Sequence, residues 1–245
     1  MKPRNLWRNC VTPVTDFFFP PLCFSCSTRL TEAESRLCSA CWGAIKCVGP
    51  DDYTVRILSD RFAIEGSVDE FHSAFYFEEK GVFQRVVHSL KYDAITVFGV
   101  ELGKRIGEVL KQRTDIRAID AIIPIPLHRI KLRERGHNQS ESLCRGISSV
   151  IRSPVSMTLV KRSKNTVSQT HLTAEQRKNN VGDAFEIVEG ASALLRGSTI
   201  LVVDDVITTG STIQAVGRVL KESGAAKVIA ASAALAFLSS DGSSA

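Results

Sequence analysis

The chain has 245 residues, of which 44% are hydrophobic, and its formal net charge is +5. This length has room for one ordinary α/β domain and a small module, at roughly 100–200 residues per domain. The composition is that of a globular protein with a hydrophobic core, and no apolar run approaches the roughly 20 residues that span a bilayer. The N-terminus lacks a signal-peptide cleavage site, so we expect a cytoplasmic protein without a membrane span.

Four cysteines near the N-terminus are spaced like the ligands of one metal ion. They form two Cys-x2-Cys pairs separated by eleven residues: Cys23, Cys26, Cys38 and Cys41. Four thiolates at this spacing can surround a zinc ion tetrahedrally, and a site with four protein ligands is closed, so we expect a structural zinc ribbon. The alternative is a set of incidental or redox-active cysteines.

The next segments alternate between irregular and periodic stretches. From Gly49 to Gly66 the chain is polar without clear periodicity, which indicates a linker or an irregular join. Alternating residues from Phe71 to Phe77 predict a strand. Helical spacing predicts two helices, one through Val82, Val86 and Leu90 and one through Leu102, Ile106 and Leu110.

A second strand, loop and helix follow from residue 120 onward. The segment Asp120–His128 predicts a short buried strand that is stopped by two prolines. A basic stretch comes next, and then Asn138 or Ser140 is expected to cap a helix whose apolar face includes Leu143 and Ile147. This helix N-terminus could bind an anion.

The middle of the chain is strongly basic. Between Arg129 and Lys178 there are 11 lysines and arginines against 3 glutamates. Such a stretch suits a polyanionic ligand, either pyrophosphate or nucleic acid, and the alternative is a solvated surface. It includes a candidate strand over Val155–Val160 and a long polar segment over Ser163–Asp183, which is typical of an active-site lid or a disordered insertion.

The most informative stretch is Thr199–Thr212. An apolar run predicts a buried strand, Asp204 and Asp205 follow it, and a polar turn leads into a helix. Backbone N–H groups at a helix N-terminus can hold a phosphate, and paired carboxylates can accept hydrogen bonds from a diol or orient a hydrated cation. The alternative is that the Asp pair is a capping feature at the end of the strand or part of a metal-binding loop. The sequence contains no Walker or G-x-G-x-x-G motif, which argues against nucleoside triphosphate and dinucleotide binding.

This stretch resembles the phosphoribosyl-pyrophosphate (PRPP) motif of type I phosphoribosyltransferases. Together with other motifs in the same order, it makes the chain similar to the ComF family of competence-associated proteins. The matching stretches are Pro20–Cys26 with its partner cysteine pair, His88–Tyr92, Pro124–His128, Arg135–Gln139, the series Arg162, Gln169, Arg177 and Asn180, and Asp204–Thr212. Relatives often have further Cys-x2-Cys pairs, whereas this chain offers only Cys47, so a second zinc is not expected.

The resemblance implies an α/β fold: a type I phosphoribosyltransferase-like, mostly parallel sheet flanked by helices and preceded by the zinc ribbon. We place the ribbon and linker in residues 1–66, the phosphoribosyltransferase-like domain in 67–238 and a disordered tail in 239–245. The ligand would lie at the carboxyl ends of the strands.

The resemblance also implies roles for particular residues in binding Mg²⁺-PRPP. Asp204 and Asp205 would hold the ribose hydroxyls, and the following loop would hold the 5′-phosphate through Thr208, Thr209, Gly210, Ser211 and Thr212. The loop at Ile125 and Pro126 would face the pyrophosphate together with the cations Arg129, Lys161 and Arg162. A lid containing Gln169 and Arg177 would close over the site and exclude water.

Two functions remain open at this point. In the first, the protein transfers the phosphoribosyl group of PRPP to an amine or nucleobase and releases pyrophosphate, in association with competence and DNA uptake. In the second, it is a non-catalytic factor that handles single-stranded DNA, alone or with other DNA-uptake proteins, and keeps the PRPP site as a ligand or regulatory pocket. The basic stretch lacks the interleaved aromatic residues that stack on bases. The sequence indicates neither the acceptor substrate nor the oligomeric state.

Overall fold

A computed structural model describes residues 20–92, 96–163 and 184–236. The predicted C-terminal tail and Cys10 lie outside these ranges. Eight described helices are numbered along the chain: α1 Ser39–Gly43, α2 Tyr53–Ile64, α3 Val82–Tyr92, α4 Thr96–Arg113, α5 Arg129–Arg135, α6 Gln139–Ile151, α7 Ser192–Leu195 and α8 Ser211–Glu222. The described strands are β1 Glu70–Phe77, β2 Ala121–Pro124, β3 Val160–Arg162, β4 Phe185–Ile187, β5 Thr199–Ile207 and β6 Lys227–Ala236.

The central sheet has four parallel strands in the order β1-β6-β5-β2. In its middle, Leu201 of β5 pairs with Ile229 of β6, and Ile122 of β2 pairs with Leu201. The inner strands are buried on both faces, which is why they read as continuous apolar runs rather than alternating ones. The predicted parallel sheet flanked by helices is therefore present.

Alternate residues of β5 face two hydrophobic cores. Leu201 and Val203 belong to a cluster with side chains of α4 and α6, whereas Ile200 and Val202 belong to a cluster with side chains of α2 and α8. Helices thus cover both faces of the sheet, as a buried parallel sheet requires.

Residues 49–66, predicted to be an irregular linker, contain the helix α2. Asp52 caps its N-terminus by accepting hydrogen bonds from the backbone N–H groups of residues 54 and 55. Val55, Leu58 and Phe62 are buried on one face and join the core. The linker interpretation was wrong because exposed apolar residues on the same helix obscure its pattern.

The cysteine-rich segment, residues 20–48, packs directly against the domain built on the central sheet. The backbone of residues 46–48 lies along β1, with hydrogen bonds from Val48 N to Ala74 O and from Tyr76 N to Lys46 O. Phe24 meets Phe98 of α4 edge to face, with ring centroids 5.2 Å apart. Side chains on both sides of residue 66 share one core. The division of the chain at that residue stays a prediction.

The candidate strand over Val155–Val160 is replaced by a shorter one further along. Val155 makes only an isolated bridge to Ile122, and β3 begins at Val160 and pairs with β4 as an antiparallel ribbon. The two predicted cations at 161 and 162 therefore lie on a strand. None of the described helices has the length and apolarity needed to cross a membrane.

Candidate functional site

The carboxyl end of β5 leads directly into a helix N-terminus. Asp204 and Asp205 are half-buried near the end of the strand, and α8 begins at Ser211. Gly210 precedes the helix with φ of 74°, a left-handed conformation that glycine adopts without a steric penalty. The first-turn N–H groups of α8 have no intrahelical partners, so they can donate to an anion.

Gly210 is also required by a close contact with α2. A Cβ atom at this position would lie 2.6 Å from Cζ of Phe62, well inside van der Waals contact. Phe62 is fully buried, so it has little room to move aside. The conformation of the loop is therefore set by a helix that comes almost 150 residues earlier in the chain.

Three hydrogen bonds tie the loop after β2 and the start of α6 to the end of β5. Ile125 N donates to Val203 O at 2.9 Å, and the Asn138 side-chain amide donates to Ile125 O at 2.9 Å. Ser140 Oγ donates to Asp204 Oδ1 at 3.4 Å. Of the two predicted caps, Asn138 is the one at the N-terminus of α6. The predicted segments at 125–126, 138–140 and 204–205 thus lie together.

A cleft of about 400 Å³ opens beside this junction. Its lining contains four of the predicted ligand-binding residues among seven in all: Pro126, Leu127, Arg129, Val160, Lys161, Arg162 and Ser163. Three of these side chains are cationic, so the cleft suits a polyanion. The predicted roles of these residues stay predictions.

Arg162 interacts electrostatically with Asp204. Burial lowers the pKa of its guanidinium, and the negative charge of Asp204 opposes this shift. The guanidinium carbon lies 5.3 Å from the ring centroid of Phe185 on β4. Lys161, by contrast, is half-exposed and pairs with Glu186 across the β3–β4 ribbon, with Nζ 3.1 Å from the carboxylate. Gln169 and Arg177 lie outside the described residues.

The four predicted metal ligands form a compact cluster. The sulfur atoms of Cys23, Cys26, Cys38 and Cys41 all lie within 4.8 Å of one another, so the cluster could hold one metal ion. Cys38 serves as the N-cap of α1, and its sulfur accepts a hydrogen bond from Cys41 N. Cys144 is fully buried, and Cys47 lies next to β1, outside the cluster.

The thiols of this cluster differ in acidity. Hydrogen bonds from the side chain and backbone of Thr28 lower the pKa of Cys26 to about 6, whereas burial raises the pKa of Cys41 to about 12. The Cys26 and Cys38 sulfurs are only 3.6 Å apart. Four thiolates this close repel one another, so a fully ionised cluster requires a cation at its centre.

Sequence reasoning missed the contribution of α2, because it placed these residues in a linker. The available signals were Asp52 as an N-cap and the spacing of Val55, Leu58 and Phe62. The contact between Phe62 and the loop could not be inferred from the sequence.

Comparisons with known proteins agree with this architecture. Residues 137–239 match the family described as "Phosphoribosyl transferase domain". This match agrees with the predicted type I phosphoribosyltransferase-like fold, a mostly parallel sheet flanked by helices.

Over most of its length the chain is similar to proteins connected by name with competence and DNA use. It is 27% identical to "Competence protein F" of Haemophilus influenzae over 86% of this chain and 95% of that protein. It is also 27% identical to "DNA utilization protein YhgH" of Escherichia coli K12, over 85% of this chain and 94% of that protein. These similarities confirm the predicted resemblance to the ComF family.

A solved structure described as the "allosteric regulatory enzyme of purine biosynthesis" is similar to this chain, and the alignment covers 54% of this chain and 25% of the chain of that enzyme. Its sequence identity to this chain is 21%, and the TM-score is 0.35.

Proposed function

We propose that this protein binds Mg²⁺-PRPP at the carboxyl end of the sheet and transfers its phosphoribosyl group to a nitrogen acceptor, releasing pyrophosphate. The observation that carries the proposal is the arrangement of an Asp pair, a left-handed glycine and a helix N-terminus at the end of β5. This arrangement matches a sugar diol next to a phosphate. The cytoplasmic location predicted from the sequence belongs to the same proposal.

The three parts of PRPP would meet three parts of the site. Asp204 and Asp205 would accept hydrogen bonds from the ribose hydroxyls, and residues 208–212 would hold the 5′-phosphate. The cationic cleft lined by Arg129, Lys161 and Arg162 would face the pyrophosphate. The oxygen-rich ligand set of phosphates and carboxylates suits Mg²⁺, which arrives with the pyrophosphate.

In the transfer, a bond forms between the acceptor nitrogen and C1 of the ribose while the bond from C1 to the pyrophosphate oxygen breaks. The pyrophosphate leaves with the bonding electron pair, and the acceptor nitrogen loses a proton to solvent. Positive charge develops on the sugar and negative charge on the leaving group, so the reaction depends mainly on positioning and electrostatics. The nearby carboxylates of Asp204 and Asp205 would stabilise the cationic sugar.

Calorimetry with Mg²⁺-PRPP tests the ligand. We expect the native protein to bind, and the double variant Asp204→Asn/Asp205→Asn to bind at least about tenfold more weakly because it loses two charged acceptors. Asp51→Asn/Asp60→Asn makes the same change in charge at two exposed positions and should bind normally. A native protein that does not bind PRPP would refute the proposal.

Transfer is tested separately by measuring pyrophosphate release with a panel of amines and nucleobases. Release that depends on an acceptor and on the Asp pair supports the transferase proposal. Binding without release across the panel would restrict the site to a ligand or regulatory pocket.

A second candidate function is the handling of single-stranded DNA, which the helix α5 favours. This helix carries four cations, has no buried residue and begins at Arg129 on the edge of the cleft. Binding through phosphate contacts should weaken steeply as salt rises, whereas PRPP binding should require the Asp pair. A salt titration with a labelled oligonucleotide therefore separates the two functions.

We also propose that the cysteine cluster holds a structural zinc ion. The proposal is supported by four sulfur ligands within 4.8 Å of one another, a donor set that suits zinc. Native mass spectrometry measures the zinc content, and a folded protein without metal would contradict the assignment.

A further inference from the structure

An arginine on α2 lies against the loop at the end of β5. A Cβ atom at Gly210 would be 3.3 Å from Nη2 of Arg61, so the guanidinium lies beside the residue that precedes α8. Arg61 is next to Phe62, the aromatic side chain that packs under the same glycine, and its guanidinium carbon lies 5.9 Å from that ring. This placement was not predictable from the sequence, because α2 occupies the predicted linker.

The hydrogen-bonding state of Arg61 is unusual. Its Nε and Nη2 atoms are both buried, and neither has a hydrogen-bond partner in the part of the chain that the structure describes. Burying an unpartnered N–H donor costs roughly 1–3 kcal/mol, and more for a charged group. Buried polar groups without a partner call for an explanation, and a bound ligand that supplies the missing acceptors is one that fits a cation.

We propose that Arg61 binds the 5′-phosphate of the ligand and completes the phosphate site formed by residues 208–212. This inference rests on the proposed function, and it adds to the PRPP loop a ligand-binding residue from a different region of the chain. A guanidinium presents paired N–H donors that match two oxygens of a phosphate, whereas the loop supplies single N–H and O–H donors.

The position of Arg61 favours the 5′-phosphate over the pyrophosphate. It contacts Gly210 at the start of α8, whereas the cations assigned to the pyrophosphate lie in a cleft whose lining does not include Arg61 or Gly210. The helix N-terminus and the guanidinium would act on the same anion, one through the dipole and N–H groups and the other through its full charge.

Calorimetry with three ligands tests the assignment: Mg²⁺-PRPP, ribose 5-phosphate and Mg²⁺-pyrophosphate. We expect Arg61→Met to weaken binding of the first two by about 10- to 100-fold, since a hydrogen-bonded charge pair contributes roughly 1.5–3 kcal/mol. Affinity for pyrophosphate should stay within about twofold of native. Arg61→Lys keeps the positive charge but loses the paired N–H donors of the guanidinium. Its affinities should therefore lie between those of the native protein and those of Arg61→Met.

Arg56→Met is the matched control, because Arg56 is an exposed cation on the same helix. It should bind all three ligands like the native protein. Thermal unfolding of each variant identifies a folding defect, and a defect in folding would weaken binding of all three ligands equally rather than selectively.

The outcomes separate this inference from the proposed function. Native-like binding of ribose 5-phosphate by Arg61→Met, or an equal loss for pyrophosphate, would overturn the role of Arg61 and leave PRPP binding intact. A native protein that binds ribose 5-phosphate through Arg61 but does not bind PRPP would support Arg61 and refute the proposed function. Binding of none of the three ligands would overturn both.

Discussion

Two acidic residues at the start of β1 hold it to its neighbours by side-chain contacts. Asp69 accepts a hydrogen bond from Val228 N at 2.6 Å and pairs with Lys221 of α8 at 2.7 Å. Glu70 accepts from Lys227 and from Thr114, whose hydroxyl is 2.6 Å away. These contacts anchor the amino ends of β1 and β6, whereas the candidate site lies at the carboxyl ends of the strands. They therefore serve stability rather than ligand binding.

Glu70 and its neighbour His72 make stability depend on pH. Burial lowers the pKa of His72, against the opposing effect of Glu70. Burial raises the pKa of Glu70, but hydrogen bonds from Lys227, Thr114 and His72 outweigh it and leave that pKa below its usual value. Below about pH 6.5 the unfolded chain protonates His72 more readily than the folded chain does, so stability falls on acidification. Below about pH 4.3 the unfolded chain also protonates Glu70 more readily than the folded chain does. Stability therefore falls further, until the pH passes below the pKa of Glu70 in the folded chain.

We therefore predict that the melting temperature falls between pH 7.5 and pH 5.5, and that His72→Gln reduces this fall. Thermal unfolding at the two pH values measures the difference. An identical pH dependence in native protein and His72→Gln would show that His72 is protonated equally in both states.

At the scale of elements, the crossing of α4 and α6 fixes the position of the site. A Cβ atom at Gly103 would lie 2.2 Å from Leu143 O, and one at Gly146 would lie 2.2 Å from Val100 O. The two helix backbones are therefore in direct contact. Asn138, which caps α6, also holds the loop after β2, so the helix crossing determines where the cleft forms.

We predict that Gly103→Ala or Gly146→Ala destabilises the protein by about 3 kcal/mol, because backbone atoms cannot move aside and the helices must separate. Ligand affinity should fall as well, as the loop after β2 shifts with α6. Chemical denaturation measures the stability. Gly43→Ala is the control, since nothing lies within 4 Å of a Cβ at that position, and it should change stability by well under 1 kcal/mol. Variants of Gly103 as stable as native protein would contradict the close crossing.

Elements whose pattern is local were predictable from the sequence. In β6, Lys227–Ala236, a continuous apolar run between a glycine turn and a polar tail is typical of a buried strand and has few other interpretations. The Asp-Asp loop was predictable for a similar reason, since its chemistry lies in consecutive residues. The strand after Val155 was misplaced, because the apolar residues there lie in an edge bridge and an irregular turn.

The contributions that cross the chain were not predictable. Helix α2 exposes Tyr53, Ile57 and Ile64 on the face opposite Phe62, and these apolar residues mask its amphipathic pattern. Its contact with Gly210 joins residues that are distant in sequence, and a single sequence offers no signal for such a pair. Arg61 is brought to the site only by the folding of α2 against Gly210.

On the scale of the whole molecule, the cysteine-rich segment shares one of the two hydrophobic cores with the sheet domain. Leu30 and Leu37 belong to the same buried cluster as Phe75, Phe83 and others of the sheet domain. Outside the core, Arg105 of α4 stacks on Trp42 with its guanidinium carbon 3.8 Å from the ring centroid. Arg85 of α3 donates a hydrogen bond to Ser25 Oγ at 2.8 Å. Loss of the ribbon would therefore expose apolar surface of β1 and α4.

Removal of zinc should consequently destabilise the entire chain rather than the ribbon alone. A structural zinc site contributes on the order of 10 kcal/mol to the folding of the segment that holds its ligands. Because this segment shares a core with the sheet domain, part of that contribution would be lost from the stability of the whole chain. We therefore predict a fall in melting temperature of at least about 10 °C. Scanning calorimetry of the native, zinc-stripped and zinc-reconstituted protein measures the change as one cooperative transition. Cys38→Ser should reproduce it, whereas Cys47→Ser, outside the cluster, should not. A stripped protein whose main transition stays at the native temperature would show that the sheet domain folds independently of the ribbon.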